Sequence, residues 1–244
     1  MSHNDYTNNI AIVRNNYRMY AGLKNRQYDY YTENVSPAEG QEEAFKAVQS
    51  FADMFIAGQN PVGLLLVGGV GSGKTFMVSS IVNNIIDSIA FEQDEYGEYE
   101  YKVINATETT VKKGCDFWCW GRPNIPVLFA SVIDLLNEFK SYFNKPDDEA
   151  VPRAMMKILQ EVNLLVLDDM GAEKTSDWVQ EKLFEIIDYR YNMRLPLLVT
   201  TNCTPEELKK QIGARNFDRI REMCALVPVT AKSQRPTATH NAVE

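Results

Sequence analysis

Apolar residues along this chain follow two repeating patterns, and the order of these patterns predicts a fold. Short continuous apolar runs predict five buried strands, at 62–67, 127–130, 164–167, 197–200 and 225–229. Helical spacing of apolar residues between these runs predicts helices at 74–90, 132–143, 152–161, 178–193 and 214–223. Buried strands that alternate with helices are typical of a parallel sheet covered on both faces. The chain is therefore predicted to be an α/β protein with a parallel five-stranded sheet between helices.

Two segments have the composition of a helix N-terminus. In Ser36-Pro37-Ala38-Glu39 and in Thr204-Pro205-Glu206-Glu207, a hydroxyl residue is followed by proline and, three positions later, by glutamate. Apolar residues recur at helical spacing after the first segment, up to Gly58, at Ala44, Phe45, Val48, Phe51, Ala52 and Phe55. Each segment predicts a capping box that opens a helix, and Gly213 ends the second helix.

The regions around this pattern predict the domain boundaries. Residues 1–35 are rich in Asn and Tyr with weak periodicity, so we interpret them as an N-terminal arm. One domain is expected at 36–236, followed by a tail at 237–244. Residues 92–126 interrupt the alternation and indicate an insertion, whose Cys115, Trp118, Cys119 and Trp120 form either a partner surface or a small core.

Composition narrows the class of protein. The net charge of −8 does not suggest a surface coated for nucleic acid, although a local basic surface remains compatible with a DNA partner. No apolar run reaches the roughly 20 residues of a membrane span, and the first residues do not resemble a secretory signal, so a cytoplasmic protein without membrane contact is expected. The four cysteines and two histidines lack the spacing of a zinc site, which favours reduced thiols.

A glycine-rich segment at the end of the first predicted strand indicates a nucleotide site. It consists of Gly68, Gly69, Val70, Gly71, Ser72, Gly73, Lys74 and Thr75, and it precedes a predicted helix. In a P-loop of this form, backbone N–H groups at a helix N-terminus surround the phosphates of ATP. Lys74 is expected to neutralise the β- and γ-phosphates, and the Thr75 hydroxyl to bind Mg²⁺. The cofactors predicted are therefore ATP and Mg²⁺.

Polar residues also follow two later strands. Asp168 and Asp169 end the strand at 164–167, and Asn202 follows the strand at 197–200. Parallel strands bring their carboxyl ends to one edge of a sheet, so these side chains are expected beside the P-loop. Asp168 is predicted to hold Mg²⁺, Asp169 to orient or deprotonate the attacking water, and Asn202 to contact the γ-phosphate or the water. The combination predicts an ATPase.

The succession of motifs resembles a known family. After the P-loop come LLVLDDMGAE at 164–173, YRYN at 189–192, LPLLVTTN at 195–202, DRIR at 218–221 and SQR at 233–235. This order is similar to that of replicative helicase loaders of the DnaC and DnaI type, which are AAA+ ATPases, and of the transposition helper IstB. The resemblance covers roughly residues 36–91 and 124–236.

This resemblance implies further roles. It implies an AAA+ P-loop core in which Arg219 is an arginine finger that acts in a neighbouring subunit, and Arg235 is a second sensor of the nucleotide. It implies a homo-oligomer, at least transient, a replicative helicase as partner, and slow hydrolysis stimulated by partner or DNA. It also implies single-stranded DNA contacts at 134–143, where Lys140, Tyr142 and Phe143 suit phosphate pairing and base stacking or, equally, core packing.

The chain departs from the family pattern at both ends. Only about 35 residues precede the predicted domain, and the chain ends nine residues after Arg235, so no C-terminal helical lid is expected. Three alternatives to a helicase loader remain open at this stage. They are an IstB-like ATPase that assists a transposase, a P-loop small-molecule kinase, and a DNA-binding module that holds ATP without hydrolysing it.

Overall fold

The computed structural model describes residues 11, 14–89, 91–93, 99–102, 111–112, 126–142 and 150–235. Its strands are β1 (Gly63–Gly68), β2 (Phe91–Gln93), β3 (Tyr99–Lys102), β4 (Val111–Lys112), β5 (Val127–Ser131), β6 (Leu164–Asp168), β7 (Leu197–Thr201) and β8 (Cys224–Val229). Its longer helices are α1 (Glu42–Ile56), α2 (Lys74–Ser88), α3 (Val132–Ser141), α4 (Ala150–Glu161), α5 (Asp177–Met193), α6 (Pro205–Ile212) and α7 (Ala214–Met223). The predicted order of elements is confirmed.

The main sheet is parallel and has five strands in the order β5-β6-β7-β1-β8. β1 therefore lies between β7 and β8, and β6 lies on the far side of β7. This order places the carboxyl ends of β1, β6 and β7 along one edge, where ligands of open α/β sheets bind. Within the described residues no helix follows β8, and none is long and apolar enough to cross a membrane.

Alternate residues of the strands enter two separate hydrophobic clusters. Leu64 and Leu66 of β1 face one cluster with α1, α2 and residues 17–23, whereas Leu65 faces the other with α3 to α7. This alternation follows from the period of two in a strand, and burial on both faces explains the continuous apolar runs. The strands are thus held on two sides, which makes their carboxyl edge a rigid support for a site.

The helix start predicted at Ser36 is wrong. α1 begins at Glu42, although all six predicted apolar positions between Ala44 and Phe55 are buried. Gly40 has a left-handed conformation, with φ of +86°, and its carbonyl oxygen accepts a hydrogen bond from the Thr230 N–H at 3.1 Å. The segment that follows β8 thus holds this glycine in a turn, so the helix starts after it.

The helix start predicted at Thr204 is confirmed. The Thr204 hydroxyl accepts a hydrogen bond from the Glu207 N–H, and the Glu207 carboxylate accepts one from the Thr204 N–H at 2.8 Å. Gly213, with φ of +88°, ends α6. Among the residues that the structure describes, no distant segment hydrogen-bonds to the backbone of these capping residues.

Residues 14–35, within the segment predicted to be an arm, pack against the domain. Residues 14–20 are helical, and Tyr17, Ala21 and Leu23 are buried in the cluster that contains α1 and α2. The Ala21 carbonyl accepts a hydrogen bond from the Phe129 N–H at 2.7 Å. This bond pairs one backbone N–H on the outer edge of β5, where no neighbouring strand among the described residues supplies an acceptor.

Polar side chains fasten the same segment to α2. Arg18 is buried, donates to Asn83 Oδ1 at 3.1 Å and forms an ion pair with Asp87. Gln27 Nε2 donates to Ser79 Oγ at 2.8 Å. Because α2 begins at the P-loop lysine, these bonds tie residues 18–27 to the helix that carries the nucleotide motif.

β2, β3 and β4 form a separate antiparallel sheet between α2 and β5. Residues Cys115, Trp118, Cys119 and Trp120 of the predicted insertion lie outside the described residues. Their role as a partner surface or as a small core therefore stays a prediction.

Candidate nucleotide site

The glycine-rich segment forms a turn between β1 and α2. Gly71 and Gly73 have φ of +79° and +95°, a left-handed conformation that glycine adopts without a steric cost. Gly73 is the N-cap of α2, and none of the described side chains caps this end of the helix. The first N–H groups of α2 are thus left for an external acceptor, which is the arrangement of an anion site.

Lys74 lies at the centre of this turn. Its Nζ donates to the carbonyl oxygens of Gly68 and Gly69, at 2.8 Å each, and to Asn202 Oδ1 at 2.9 Å. Burial lowers the pKa of the Lys74 ammonium below its ordinary value, and the charges of Asp169 and Asp168 act in the opposite direction. Uncharged oxygens thus surround a desolvated cation, which is suited to exchange these partners for phosphate oxygens.

Asp168 lies at the end of β6, within hydrogen-bond distance of two hydroxyl groups. Thr75 Oγ1 is 3.0 and 3.1 Å from its two carboxylate oxygens, and Thr200 Oγ1 donates to Oδ1 at 2.7 Å. Burial raises the pKa of the Asp168 carboxyl, although the hydrogen bonds from Thr200 and Thr75 lower it in part. The sequence alone does not indicate a role for Thr200, which lies two residues before Asn202 in the same motif.

The oxygens of Thr75 and Asp168 fit a magnesium ion that arrives with a nucleotide. Mg²⁺ prefers hard oxygen ligands, and it commonly takes one or two protein carboxylates together with substrate phosphates. Within the part of the chain that the structure describes, no group of three or more His, Cys, Asp or Glu side chains is arranged to hold a metal. A magnesium ion that is already bound to nucleotide phosphates needs few protein ligands, and the Asp168 carboxylate with the Thr75 hydroxyl is such a set.

Asp169 and Asn202 complete the edge. Asp169 has φ of +58°, an uncommon conformation for a residue other than glycine, and its N–H donates to Thr200 Oγ1 at 2.9 Å. Asn202 Nδ2 donates to Asp169 Oδ1, while Asn202 Oδ1 accepts from Lys74. Asn202 therefore bridges Lys74 of the P-loop and the Asp169 carboxylate. The sequence predicts that these residues lie close together, and in the structure they do.

The two predicted arginines lie in different places. Arg235 lines the same cleft as Lys74 and Asp168. Arg219 does not line this cleft. It forms an ion pair with Asp188 and lies over the rings of Phe184 and Tyr191, at 5.0 and 5.3 Å. Its predicted action in a neighbouring subunit remains a prediction.

The helix predicted to contact DNA ends at Ser141. Lys140 Nζ lies 5.5 Å from the ring centroid of Trp178, a cation–π contact, and Tyr142 packs partly buried against the cluster with α3 to α7. Phe143 lies outside the described residues. The alternative of core packing is therefore confirmed for Tyr142, whereas DNA contact of this helix remains a prediction.

The nucleotide cleft extends beyond the predicted residues to an aromatic wall. The cleft has a volume of about 700 Å³, and Tyr30, Phe45 and Phe76 line one side of it. The ring of Phe76 lies 5.1 Å from that of Tyr30 and 6.3 Å from that of Phe45. Such a wall suits stacking of a base. The Tyr-rich composition of residues 1–35 is the one sequence signal that points towards it.

Polar and cationic side chains between residues 24 and 41 also line the cleft. They are Lys24, Arg26, Gln27, Ser36 and Gln41. No sequence motif indicates a nucleotide site at these residues. Ser36 belongs only to the predicted capping box, and the positions of Lys24, Arg26 and Gln27 depend on the packing of residues 14–35 against α2.

Comparison with known proteins agrees with this geometry. The sequence model of the family described as "IstB-like ATP binding protein" matches residues 119–242, about half of the chain. The P-loop precedes the matched residues, so its identification rests on its own sequence and geometry.

Two named relatives are replicative helicase loaders. DnaI of Bacillus subtilis is 22% identical over 204 residues, which cover 78% of this chain and 53% of DnaI. DnaC of Escherichia coli is 30% identical over 95 residues, which cover 39% of this chain and 38% of DnaC. The matched residues thus span about half or less of either relative.

Solved structures share the fold. The crystal structure of the DnaC helicase loader superimposes with a TM-score of 0.61 at 23% identity, covering 85% of this chain and all of that one. The crystal structure of DnaI gives a TM-score of 0.60 at 20% identity and covers 87% of this chain and 94% of that one. The chain belongs to the IstB-like ATP binding protein family, as a DnaC/DnaI-like member with the AAA+ P-loop fold.

Proposed function

We propose that this chain hydrolyses ATP with Mg²⁺ while it helps to place a replicative helicase on single-stranded DNA, acting as a homo-oligomer at least transiently. The observation that carries the enzymatic part is the bridge from Lys74 through Asn202 to Asp169. It brings a cation, an amide and a carboxylate together at one end of the cleft. The geometry of a P-loop directs the γ-phosphate of a bound ATP to this end.

Each residue then has a distinct task in hydrolysis. Lys74 leaves the carbonyls of Gly68 and Gly69 and binds phosphate oxygens, which places the terminal phosphate beside Asn202. Asp169 accepts the proton of the attacking water as the water oxygen bonds to phosphorus and the bond to the β-phosphate oxygen breaks. Thr75 and Asp168 would hold Mg²⁺, and the ion would supply positive charge that neutralises the phosphates.

Turnover tests the enzymatic proposal directly. Purified chain with MgATP and no added acceptor is expected to release phosphate slowly, and Lys74→Ala and Asp169→Asn are each expected to reduce release by about 100-fold or more. Lys157→Ala, an exposed residue of α4, is the matched control. Phosphate release at the same rate from wild type and Asp169→Asn would instead indicate a module that binds ATP without hydrolysing it.

The same measurement of phosphate release distinguishes an ATPase from a small-molecule kinase. A small-molecule kinase transfers phosphate to an acceptor, so phosphate release in the absence of any acceptor contradicts that function. The Lys74–Asn202–Asp169 bridge favours water as the acceptor, because Asp169 is already paired with the asparagine that faces the phosphate lysine.

The partner is proposed from relatives. Both DnaC and DnaI are named replicative helicase loaders, which favours a helicase. The family model is described as IstB-like, and the resemblance to the transposition helper IstB keeps a transposase as the alternative partner. Co-purification of the tagged full chain followed by identification of the bound protein decides between the two, and a bound transposase without helicase would reject helicase loading.

A deletion that tests whether the N-terminal arm binds the partner must be shorter than the predicted arm, residues 1–35. Residues 14–35 supply core residues and the cleft wall, so deleting 1–35 would damage the domain itself. A deletion of residues 1–10 leaves every described residue in place. Loss of partner capture by this deletion, with ATP binding retained, is expected if the first residues grip the partner.

DNA binding is proposed to involve the end of α3. Lys140 is exposed and lies over Trp178, a combination of cation and aromatic ring that suits a single strand. Lys140→Ala is expected to weaken binding of a single-stranded oligonucleotide several-fold in the presence of ATP. Lys182→Ala on α5 is the control, and an equal effect of both substitutions would argue against α3.

A further inference from the structure

The carbonyl oxygens of the P-loop need hydrogen-bond donors of their own. A loop that directs its N–H groups inward to phosphates directs its carbonyl groups outward. In this chain the Gly71 carbonyl accepts from the Gln234 N–H at 2.9 Å, and the Ser72 carbonyl accepts from Gln41 Nε2 at 2.8 Å. Two segments far apart in sequence therefore brace the outer side of the loop.

Gln41 is fitted closely to this position. The side chain is 5% exposed, and its Oε1 accepts from the Ala38 N–H at 2.9 Å while its Nε2 donates to Ser72. A Cβ atom at Gly73 would lie only 2.7 Å from the same Nε2. The amide thus contacts two successive residues of the P-loop, and the absence of a side chain at Gly73 leaves room for it.

The two braces are joined to each other. Gly40, next to Gln41, accepts a hydrogen bond from Thr230, and the chain then runs through buried Ala231 to Gln234 at Gly71. Arg235, the next residue, lines the nucleotide cleft. The start of α1 and the segment after β8 therefore form one clasp around the loop, comprising residues 40–41 and 230–235.

The geometry points to Gln41 as a positioning residue for the phosphate chain of the nucleotide. Its side-chain amide holds the Ser72 carbonyl outward, so that the N–H groups of the loop converge on the β-phosphate. It acts through the loop and not through the base of the nucleotide. The inference rests on the proposed binding of ATP, and it adds a residue outside the P-loop motif.

Two substitutions of Gln41 isolate its bond to Ser72. Gln41→Met has similar length and removes both hydrogen bonds without adding charge. Gln41→Glu keeps an acceptor for Ala38 but replaces the donor with an oxygen that repels the Ser72 carbonyl. The loss of the donor to Ser72 is the change that both variants share, so a common effect is assigned to it.

The measurement compares nucleotides that differ in phosphate number. Affinities for AMP, ADP and a non-hydrolysable ATP analogue are measured with Mg²⁺ for wild type and both variants. Both variants are expected to bind ADP and the ATP analogue about fivefold to tenfold more weakly, the effect of one hydrogen bond. AMP affinity is expected to change by less than about twofold, because a β-phosphate is absent.

A neighbouring residue supplies the control. Glu42 accepts a hydrogen bond from the Gly40 N–H at 2.9 Å in the same turn, and no hydrogen bond of it to the P-loop occurs among the described residues. Glu42→Gln should leave all three affinities unchanged. Unchanged ADP affinity in both Gln41 variants, or an equal loss for AMP and ADP, overturns the inference. A wild-type chain that binds no nucleotide overturns the proposed function instead.

Discussion

The ammonium of Lys74 and the side-chain amide of Asn202 are joined by a hydrogen bond of 2.9 Å, across 128 positions of sequence. The same amide donates to Asp169, so one side chain contacts both the residue expected to hold phosphate and the residue expected to activate water. A terminal phosphate that binds Lys74 must compete with Asn202. The asparagine is therefore placed to change partners when nucleotide arrives.

Asn202→Ala is expected to separate binding from hydrolysis. Loss of the amide frees Lys74 for phosphate, so affinity for a non-hydrolysable ATP analogue should be unchanged or rise. Phosphate release should fall by about 100-fold, because the alignment of water and phosphate is lost. Asn60→Ala is the control, since Asn60 is exposed and donates to the Arg194 carbonyl. A parallel fall in affinity and turnover would contradict this division.

Asp168 is expected to make nucleotide binding sensitive to acid. Burial raises its pKa in the folded protein, so the empty site takes up a proton at a higher pH than an exposed aspartate does. The ionised carboxylate thus costs stability at neutral pH, and this cost disappears as the pH falls through the raised pKa. Mg²⁺ needs the ionised form. Mg²⁺-dependent affinity for ADP should therefore fall on acidification before an ordinary aspartate titrates.

Asp168→Asn tests at fixed pH whether the buried, ionised Asp168 carboxylate lowers the stability of the empty protein. The amide is neutral, so the free energy of unfolding of the empty protein should stay equal or rise, while Mg²⁺ no longer improves nucleotide affinity. Chemical denaturation and binding with and without Mg²⁺ measure the two effects. Asp218→Asn, an exposed residue of α7, is the control. A loss of stability above about 1 kcal/mol would show that the buried charge stabilises the fold.

Mixing two inactive variants tests whether Arg219 acts in a neighbouring subunit. Arg219→Ala lacks the arginine but keeps the P-loop, whereas Lys74→Ala has the reverse defect. If a site takes its arginine from another chain, a mixture contains sites with both residues and recovers part of the phosphate release. Arg221→Ala, also on α7 and exposed, should be active alone. No recovery in the mixture, in a protein shown to assemble, would reject the role in trans.

Tyr30 is expected to hold the base independently of phosphate number. Its ring lies 5.1 Å from that of Phe76 along the cleft wall, and stacking on an aromatic ring contributes about 1–3 kcal/mol per base. Tyr30→Ala should weaken AMP, ADP and ATP analogue by similar factors, about tenfold, unlike the substitutions of Gln41. Tyr189→Ala, a half-buried residue of α5 away from the cleft lining, is the control. A loss confined to ADP and ATP would refute a base-binding wall.

Arg190 is expected to be essential for stability. It is fully buried, its guanidinium donates to five backbone carbonyls, and burial lowers its pKa to about 9. These carbonyls belong to residues 159, 160, 162, 163 and 196, around the starts of β6 and β7. Arg190→Leu removes this donor from all five carbonyls and should lower the free energy of unfolding by about 3 kcal/mol or more. Arg221→Leu, on the surface of α7, should change it by less than about 0.5 kcal/mol in the same denaturation experiment.

The sequence was sufficient for the main elements and for the centre of the site. Continuous apolar runs predict buried parallel strands, and polar residues directly after such strands must meet at one edge of the sheet. For that reason the sequence predicts Lys74, Asp168 and Asn202 as neighbours. In the structure Lys74 donates directly to Asn202, while the residues next in sequence complete the cluster, because Thr75 bonds to Asp168 and Asp169 accepts from Asn202. Local pattern and chain order carry this information.

Residues of the cleft wall were not predictable in the same way. Tyr30 reaches the nucleotide cleft because residues 14–35 pack on α2, through bonds such as that of Gln27 to Ser79, and Gln41 is held against the P-loop by its bond to the Ser72 carbonyl. Each of these contacts joins positions far apart in sequence, and no local pattern specifies them. A tyrosine-rich segment with weak periodicity is compatible with many arrangements.

The two capping-box sequences separate what the local sequence determines from what the tertiary structure determines. Ser36-Pro37-Ala38-Glu39 and Thr204-Pro205-Glu206-Glu207 carry the same local signal, and only the second opens a helix. The sequence alone determined which residues favour a helix start, which strands are buried and which side chains follow them. Tertiary structure decided that Gly40 pairs with Thr230 and that α1 begins after it, because a backbone bond to a distant segment outweighs a local preference worth about 1 kcal/mol.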